Sequence, residues 1–180
     1  MTRLTTNGRR QCVLVCDSDL QSLRALKVTL RESGLVAWPT QSAADALARA
    51  GLRAPDADAA IVEMDLADAS GSEVGRSLRQ RSSMPLIMLS NVIDEDRMVQ
   101  AFRAGVDDYL TKPFSSVDLV VRLEAHMERA AVSHDDSVAL WGDVHADFAA
   151  RVVHREGCWV RLTPIEFALL SVLCTTEADC

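Results

Sequence analysis

The sequence lacks any long apolar run, and this absence excludes a membrane-spanning helix. No stretch approaches the roughly 20 consecutive apolar residues that are needed to cross a bilayer. The segment Met1–Gln11 carries Arg3, Arg9 and Arg10, but the apolar h-region of a signal peptide does not follow them. We therefore expect a soluble, cytoplasmic protein.

The sequence also lacks cysteines at metal-ligand or disulfide spacing. It has five cysteines, and none of them forms a CxxC pair with histidines at metal-ligand distance. Cys12, Cys16 and Cys174 lie in apolar patterns, where buried thiols are ordinary packing residues. Cys158 and Cys180 lie elsewhere in the sequence. The pattern argues against a structural metal and against a disulfide framework.

An excess of basic charge is lacking as well. The 19 Lys and Arg residues are outnumbered by 26 Asp and Glu residues, which gives a formal net charge of −7. This balance argues against non-specific nucleic-acid binding, although it leaves room for a local basic patch. Apolar residues, in contrast, are plentiful: they make up 48 % of the 180 residues, enough to build a full core.

The first two thirds of the chain alternate apolar strand-like runs with amphipathic helical patterns. The predicted strands are Cys12–Cys16, Leu35–Trp38, Ala59–Glu63, Leu86–Leu89 and Asp108–Leu110. The predicted helices are Asp19–Ser33, Ala43–Ala50, Ser72–Gln80, Asp94–Ala104 and Ser116–Arg129. Five repeats of strand and helix predict an α/β fold with a doubly wound, five-stranded parallel sheet covered on both faces.

Residues that favour helix ends support these boundaries. Gly34, Gly51 and Gly105 follow the ends of three predicted helices, as expected for C′ glycines. Ser42 and Asp94 fit the N-cap position of two predicted helices, where a side-chain oxygen accepts hydrogen bonds from backbone N–H groups.

Polar side chains collect at the carboxyl ends of the predicted strands, which is the edge where open parallel sheets bind ligands. The segments at these ends are Asp17-Ser18-Asp19, Glu63, Ser90-Asn91 and Thr111-Lys112-Pro113. Two acidic segments, a hydroxyl and a lysine are therefore predicted to converge on one edge of the sheet.

The pattern changes after the fifth predicted helix. Residues 131–137 are small, polar and acidic, and we predict a linker there between a first domain at residues 1–130 and a second at residues 138–180. A helix start is indicated at Thr163-Pro164-Ile165-Glu166, which offers a cap, a proline at N1 and a capping-box glutamate. Short alternating runs predict a small antiparallel sheet with strands Val138–Trp141, Val144–Phe148, Val152–His154 and Trp159–Leu162.

Four segments resemble a known family. VLVCD (Val13–Asp17), PLIMLS (Pro85–Ser90) and above all GVDDYLTKPF (Gly105–Phe114) are similar to the receiver domain of bacterial response regulators. WVRLTPIEFALL (Trp159–Leu170) resembles the start of the winged-helix DNA-binding domain of the OmpR/PhoB subfamily. The resemblance implies a flavodoxin-like receiver as the first domain. The second domain would hold only the N-terminal sheet and first helix of a winged-helix domain.

In that family an aspartate at the end of strand three accepts a phosphoryl group from a histidine kinase, with help from Mg²⁺, a lysine and a Ser/Thr hydroxyl. The family has a glycine eight positions after this acceptor and an acid five positions before it. Gly71 and Asp58 match these two residues, so the resemblance places Glu63 at the acceptor position. Lys112 matches the family's lysine, and Asp17 matches the first acid after strand one.

Two departures from the family pattern affect the pocket formed by Asp17, Ser18, Glu63 and Lys112. Glu63 is one methylene longer than an aspartate, so its carboxylate overshoots the in-line geometry on which phosphoryl transfer depends. Ser18 replaces the second acid, which leaves Asp17 and Glu63, with Asp65 further along the loop, as Mg²⁺ ligands. We expect weak or absent Mg²⁺ binding, no other cofactor and no efficient phosphorylation.

Lys112 is then expected to pair with Glu63 directly, whereas in typical members the lysine contacts the phosphoryl group. This pair either mimics the phosphorylated state or is a structural salt bridge that locks one conformation. Ser90 and Tyr109 match the family's switch pair, whose positions report phosphorylation. The alternative is that Ser90 caps the following loop and Tyr109 packs at a sheet edge.

The resemblance also implies a homodimer, because the subfamily pairs charges across a two-fold axis on the last helix–strand–helix face of the receiver. Surface charges are usually only solvated, but mixed signs on one face suit a self-complementary interface. The charges predicted to form this dimer interface are Arg97, Asp107, Asp108, Arg122 and Arg129.

The family's recognition helix and β-wing lie downstream of the WVRLTPIEFALL segment, and the sequence does not match them. Residues 138–180 include three basic and six acidic residues, which is the wrong balance for contacts with phosphates. We therefore expect a truncated winged-helix domain, and DNA binding only if a complete C-terminal domain exists.

Two functions stay open at this point. The first is an atypical, phosphorylation-independent transcription regulator of a two-component-like phosphorelay, governed by a small-molecule or protein effector. The second is a truncated receiver that acts as a dimerisation or protein-interaction module without DNA binding. An enzyme is not expected, because a hydrolytic site built on Asp17, Glu63, Ser90 and Lys112 lacks a histidine base and a plausible metal set.

Overall fold

The computed structural model describes residues 10–53, 57–135, 138–141, 143–147, 152–155, 158–160 and 169–170. The chain divides into two compact units, Met1–Glu128 and Arg129–Cys180; the sequence places this boundary at residue 130. No helix in the described part of the chain combines the length and the apolar composition that crossing a membrane requires.

The first unit contains a five-stranded parallel sheet, which confirms the predicted fold class. Its strands are β1 (Cys12–Cys16), β2 (Val36–Thr40), β3 (Ala59–Glu63), β4 (Leu86–Ser90) and β5 (Asp108–Thr111). Their order in the sheet is β2-β1-β3-β4-β5, and all neighbouring strands are parallel. Because β1, β3 and β4 are buried along their whole length, they are apolar runs in the sequence up to the polar Glu63 and Ser90 that end β3 and β4.

One helix follows each strand of this sheet. The helices are α1 (Leu20–Glu32), α2 (Ala43–Arg53), α3 (Gly71–Arg79), α4 (Glu95–Arg103) and α5 (Ser116–Asp135). Asp19 caps α1 by accepting from the N–H of Gln21 at 2.9 Å. Asp94 caps α4 in the same way, accepting from the N–H groups of its second and third residues at 2.9 and 3.1 Å.

Successive residues of a strand face opposite sides of the sheet, which gives this unit two apolar layers. Val13 and Ile61 face the layer that packs with α1 and α5. Leu14, Cys16 and Val62 face the layer that packs with α2, α3 and α4. The two layers hold the sheet rigidly, so the residues at the carboxyl ends of its strands are well positioned for a site.

The glycines near helix ends differ in role. Gly34 and Gly105 follow α1 and α4 with φ angles of 81° and 95°, which confirms them as C′ glycines. Gly51, in contrast, lies inside α2, which continues to Arg53, so the predicted helix end at this glycine was wrong. A glycine inside a helix costs only about 1 kcal/mol relative to alanine, and the apolar spacing of α2 outweighs this cost.

α5 also runs further than the sequence predicts. It was expected to end at Arg129, but it continues to Asp135, so residues 131–135 of the expected linker are helical. Ala130 and Ala131 favour a helix, and a polar composition alone does not distinguish a flexible linker from a solvated helix.

The second unit contains an antiparallel sheet, as the alternating runs predict. Its strands are β6 (Val138–Trp141), β7 (Val144–Asp147), β8 (Val152–Arg155) and β9 (Cys158–Val160), paired in chain order. Ala146 and Val153 form its buried centre. The predicted helix start at Thr163-Pro164-Ile165-Glu166 lies outside the described residues, and further along only Leu169 and Leu170 are described, both helical.

Candidate functional site

The ends of three strands bring three predicted pocket residues together. Asp17 follows β1, Glu63 ends β3 and Lys112 follows β5. Nζ of Lys112 donates to Oε2 of Glu63 and lies 3.1 Å from Oδ2 of Asp17. Since β5 is separated from β3 by β4, the long lysine side chain crosses the end of β4 to reach both acids.

Both carboxylate oxygens of Glu63 have partners. Oε2 accepts from Lys112, and Oε1 accepts from Nδ2 of Asn91 at 3.3 Å. Glu63 is only 3 % exposed, so water contributes little to the stabilisation of its charge. The sequence placed Asn91 at this edge without giving it a role, and its amide is one of the contacts that hold Glu63.

Asp17 is held as firmly as Glu63. Its Oδ1 accepts from the N–H of Asp19 at 2.8 Å, and its Oδ2 accepts from the hydroxyl of Ser22 at 2.5 Å. Oγ of Ser22 also lies 3.4 Å from Nζ of Lys112. Ser22 lies in the first turn of α1 and was not singled out in the sequence, where a serine at this spacing carries no distinct signal.

The pKa values of the ion pair reflect burial and charge together. Burial raises the pKa of Glu63 above its ordinary value, and the hydrogen bond and charge of Lys112 offset only part of the rise. Burial acts to lower the pKa of Lys112, but the hydrogen bond and charge of Glu63, with the charge of Asp17, leave that pKa above its ordinary value. Lys112 is therefore a cation at neutral pH, held between two acids.

Ser18 performs a different task from the acid that it replaces. Its hydroxyl oxygen accepts from the N–H of Ala67 at 2.9 Å, which joins the segment after β1 to the loop after β3. A serine cannot supply the negative charge of a carboxylate. The position thus contributes to the shape of the loop and not to the charge of the pocket.

Asp65 does not join the other two predicted metal ligands. Its carboxylate forms an ion pair with Arg97 on α4 and is 52 % exposed. Between Asp17 and Glu63 stands the ammonium of Lys112, which repels a second cation. Within the described residues there is also no group of three or more His, Cys, Asp or Glu that could hold a metal ion. The residues as arranged do not fit Mg²⁺.

Gly71 approaches the backbone of β3 so closely that a side chain does not fit. A Cβ atom at this position would lie 2.4 Å from the carbonyl oxygen of Glu63 and 2.8 Å from Cα of Met64. The N–H of Gly71 donates to the carbonyl of Met64 at 2.8 Å. This contact gives the physical reason for a glycine at a fixed distance after the acceptor position.

Asp68 holds the loop after β3 against α2. Its two carboxylate oxygens accept from the N–H groups of Ala43 and Ala44 at 2.9 and 3.1 Å. These backbone hydrogen bonds lower the pKa of Asp68. The first turn of α2 is thus capped by a residue 25 positions away as well as by Ser42, whose hydroxyl oxygen accepts from the N–H of Asp45 at 3.1 Å.

The two residues that match the switch pair do not contact the ion pair. The hydroxyl of Ser90 donates to the carbonyl of Val92 and accepts from its N–H, both at 3.1 Å. The hydroxyl of Tyr109 is buried and has no hydrogen-bond partner in the part of the chain that the structure describes. Ser90 therefore caps the following loop, and Tyr109 packs against the layer on the α2–α4 side.

Ion pairs within this chain involve four charges predicted for the dimer interface, namely Arg97, Asp107, Asp108 and Arg122. Arg129, also predicted for this interface, is an exposed residue at the start of the second unit. The intrachain pairs are Arg97–Asp65, Arg79–Asp107 at 2.6 Å and Arg122–Asp108 at 3.2 Å. The dimer interface stays a prediction.

Sequence comparisons agree with the geometry. Residues 13–124 match the family described as the response regulator receiver domain. The KDP operon transcriptional regulatory protein KdpE of Escherichia coli (strain K12) is 38 % identical over 162 residues, which cover 89 % of this chain and 71 % of the relative. The DNA-binding response regulator MtrA of Mycolicibacterium smegmatis is 33 % identical over 164 residues, which cover 91 % of this chain and 71 % of the relative.

Solved structures share the fold. A response regulator receiver domain protein from Clostridium thermocellum superposes with a TM-score of 0.65 at 24 % identity, covering 68 % of this chain and 98 % of its own. The response regulator DrrB of Thermotoga maritima, an OmpR/PhoB homolog, superposes with a TM-score of 0.58 at 24 % identity, covering 92 % of this chain and 73 % of its own. The family match and the relatives establish that the chain belongs to the response regulators with a receiver domain, and these relatives are transcription regulators.

Proposed function

We propose that this chain is an atypical transcriptional response regulator of a two-component-like phosphorelay that works without phosphorylation. The observation that carries this proposal is the contact of Lys112 with Glu63 and Asp17. In the family, this lysine is the cation that meets the incoming phosphoryl group. Here the charge of Lys112 is already matched by the carboxylates of Glu63 and Asp17 in the same chain. We expect the protein to work in the cytoplasm.

The acceptor position is poorly suited to nucleophilic attack. An attacking carboxylate oxygen needs a free lone pair aligned with the phosphorus and its leaving group. Oε2 of Glu63 accepts from Lys112 and Oε1 accepts from Asn91, so both oxygens are held in fixed directions, and turning either one into line with a phosphorus would weaken one of these contacts. Separating Glu63 from Lys112 would be costly because Glu63 is buried and its carboxylate would be left without a counter-charge.

Charge stabilisation is weakened as well. Phosphoryl transfer relies on a divalent cation to neutralise the developing negative charge. Ser18 supplies no carboxylate to such a cation, and Asp65 is paired with Arg97. Mg²⁺ binding by Asp17, Glu63 and Asp65 is therefore proposed to be weak or absent.

Of the two roles open for the ion pair, the contacts favour a structural salt bridge that locks one conformation. A mimic of the phosphorylated state should engage the hydroxyl at the end of β4, because that hydroxyl reports the phosphoryl group in the family. Both hydrogen bonds of Ser90 Oγ are with Val92 instead. Lys112 and Glu63 thus join the ends of β3 and β5 without involving Ser90.

Incubation with acetyl phosphate and Mg²⁺, followed by intact-mass spectrometry, tests the proposal. The natural chain should gain no phosphoryl adduct. The double variant Ser18→Asp/Glu63→Asp should gain one, because it restores the second acid and shortens the acceptor. Ser18→Asp alone is the matched control and should stay unmodified. A stable adduct on Glu63 or Asp65 of the natural chain would overturn the proposal.

DNA is the proposed partner of a complete C-terminal domain, since the relative MtrA is a DNA-binding response regulator. A gel shift with promoter fragments and the full chain tests this point. Sequence-specific retention that survives competitor DNA supports a regulator that binds DNA itself. The second candidate function, a protein-interaction module without DNA binding, predicts no such retention.

Exposed apolar side chains favour keeping that second candidate. Val99 and Phe102 on α4 and Val117 and Val121 on α5 are all exposed. Exposed apolar surface on charged helices suits a homodimer or a complex with a relative. Sedimentation equilibrium measures this association. A module should self-associate or bind a full-length relative at micromolar concentration, and the absence of both together with DNA retention would exclude it.

A further inference from the structure

A cleft of about 390 Å³ lies beside the outermost strand of the parallel sheet. It is formed by the first turns of α1, the end of β2 and the first turns of α2. The pocket residues Asp17, Glu63 and Lys112 do not line it. Its volume lies within the range of roughly 300–1,000 Å³ that is typical of small-molecule sites.

One part of the cleft is apolar. Leu20 and Leu23 contribute from α1, and Pro39 contributes from β2. Leu23 is buried, whereas the side chain of Leu20 is about half exposed. A ligand that covers the exposed leucine removes apolar surface from water, and this contributes favourably to the free energy of binding.

The other part of the cleft is cationic. Arg24 and Lys27 from α1 and Arg49 from α2 line it, together with a single carboxylate, Asp45. Arg49 is paired with Asp45 at 3.1 Å. Arg24 and Lys27 have no hydrogen-bond or ion-pair partner among the residues that the structure describes. A locally positive cleft on a chain of net charge −7 indicates an anionic ligand.

The anion would meet side chains and not the start of a helix. The first N–H groups of α2 are occupied by the side chains of Asp68 and Ser42. Among the described residues, the unpaired cationic donors that line the cleft are therefore the guanidinium of Arg24 and the ammonium of Lys27. An arginine beside a lysine suits a carboxylate or sulfonate, because the guanidinium can bind two oxygens at once.

We propose that this cleft binds a small amphipathic anion. The apolar part of the ligand packs on Leu20, Leu23 and Pro39, and its carboxylate or sulfonate pairs with Arg24 and Lys27. This inference goes beyond the proposed function, since binding here requires nothing of the ion pair formed by Glu63 and Lys112. Its failure would leave the proposal of phosphorylation independence unaffected.

The test uses 2-naphthoate as a probe and the neutral 2-naphthamide as its matched control. Both are titrated into the ¹⁵N-labelled full chain and followed by ¹H–¹⁵N NMR. We expect saturable shifts of the signals of Leu20–Lys27 and of residues 40–49 with 2-naphthoate. Binding of 2-naphthamide should be about tenfold weaker, because it packs on the same apolar surface without a charge.

Two variants decide whether the named cations bind the anion. Arg24→Gln/Lys27→Gln should weaken the binding of 2-naphthoate about tenfold and leave that of 2-naphthamide unchanged. Arg31→Gln lies on the same helix but does not line the cleft, so it should leave both affinities unchanged. Equal affinity for the two probes, shifts that fall outside the cleft, or no saturable binding at low millimolar concentration would overturn the proposal.

Discussion

Nζ of Lys112 contacts Oε2 of Glu63, so the acceptor position of this receiver already carries its own counter-charge. The contact joins the end of β3 to the segment after β5. Glu63 is buried and Lys112 is 22 % exposed, so the pair lies mostly out of water. A buried ion pair contributes little to the free energy of unfolding when it is intact. Removing one partner is strongly destabilising, because the remaining charge is then buried without a counter-charge.

Lys112→Met should therefore destabilise the protein strongly. It leaves both Glu63 and Asp17 without their shared cation, and we expect a loss of about 3–5 kcal/mol in the free energy of unfolding. Urea unfolding followed by circular dichroism measures the change. Adding Glu63→Gln to Lys112→Met should recover a substantial part of the loss, because one of the two unpaired charges is then removed.

Arg122→Met is the matched control for this experiment. Arg122 pairs with Asp118 and Asp108, but its side chain is 44 % exposed and water compensates the separated charges. We expect a loss below about 1 kcal/mol. Equal losses for Lys112→Met and Arg122→Met would show that the contact between Lys112 and Glu63 does not hold the pocket together.

The stability of Lys112→Met should depend on pH in a defined direction. Without the lysine, the pKa of Glu63 rises further above its ordinary value of 4.5, because burial then acts unopposed. Between 4.5 and this raised pKa, the folded protein holds a proton that the unfolded chain has released. The free energy of unfolding of the variant therefore falls as pH rises through this window.

Urea unfolding from about pH 5 to about pH 8 checks this direction. The difference between the natural chain and Lys112→Met should grow as pH rises. Lys112→Met/Glu63→Gln is the control, since it has no titrating group at position 63 and should lose most of the pH dependence. A difference that grows toward acid pH would contradict the burial of an ionisable Glu63.

Gly71→Ala should be destabilising, although alanine favours helices. The added methyl would overlap the backbone of β3 at the carbonyl of Glu63, which cannot move without disturbing the strand. We expect a loss of about 1–3 kcal/mol in the free energy of unfolding. At Gly75, on the same helix, the nearest atom to such a methyl is Cδ2 of Leu86 at 3.2 Å, the end of a mobile side chain. Gly75→Ala should therefore cost less, and the reverse order would contradict the close approach.

Asp68→Ala should lower the melting temperature, because the N–H groups of Ala43 and Ala44 lose their acceptors. These bonds hold the pKa of Asp68 below its ordinary value of 3.8, so their contribution is present above pH 3.8 and is lost as pH falls through the lowered pKa. The melting temperatures of variant and natural chain should converge in that acid range. Glu95→Ala, which removes an acid from the first turn of α4 where Asp94 already caps, should have a smaller effect at neutral pH.

The order of strands and helices could be predicted because it depends on local patterns. The buried strands β1, β3 and β4 are apolar except for Glu63 and Ser90 at the ends of β3 and β4, and a residue such as Gly34 marks a helix end by its backbone conformation. Gly51 shows the limit of that reasoning. A glycine signals a helix end only where φ is positive, and the sequence alone does not reveal φ.

The candidate site was only partly predictable. Glu63 and Lys112 could be placed because strand ends and motif spacing fix their positions along the chain. The bonds from Ser22 and Asn91, and the capping of α2 by Asp68, depend on how loops meet in space. Serine, asparagine and aspartate are common in loops and at the starts of helices, so the sequence does not distinguish these three residues from ordinary residues of such segments.

The bond between Lys112 and Glu63 has a consequence for timing in the cell. A phosphoryl group is a record of a past encounter with a kinase, and it lasts until hydrolysis removes it. An ion pair within one chain forms when the chain folds, consumes no ATP and is identical in every copy. If the chain works without phosphorylation, as proposed, it keeps no record of earlier signals. Its output would then follow how many copies are made and degraded, which would transfer control from modification to synthesis and turnover.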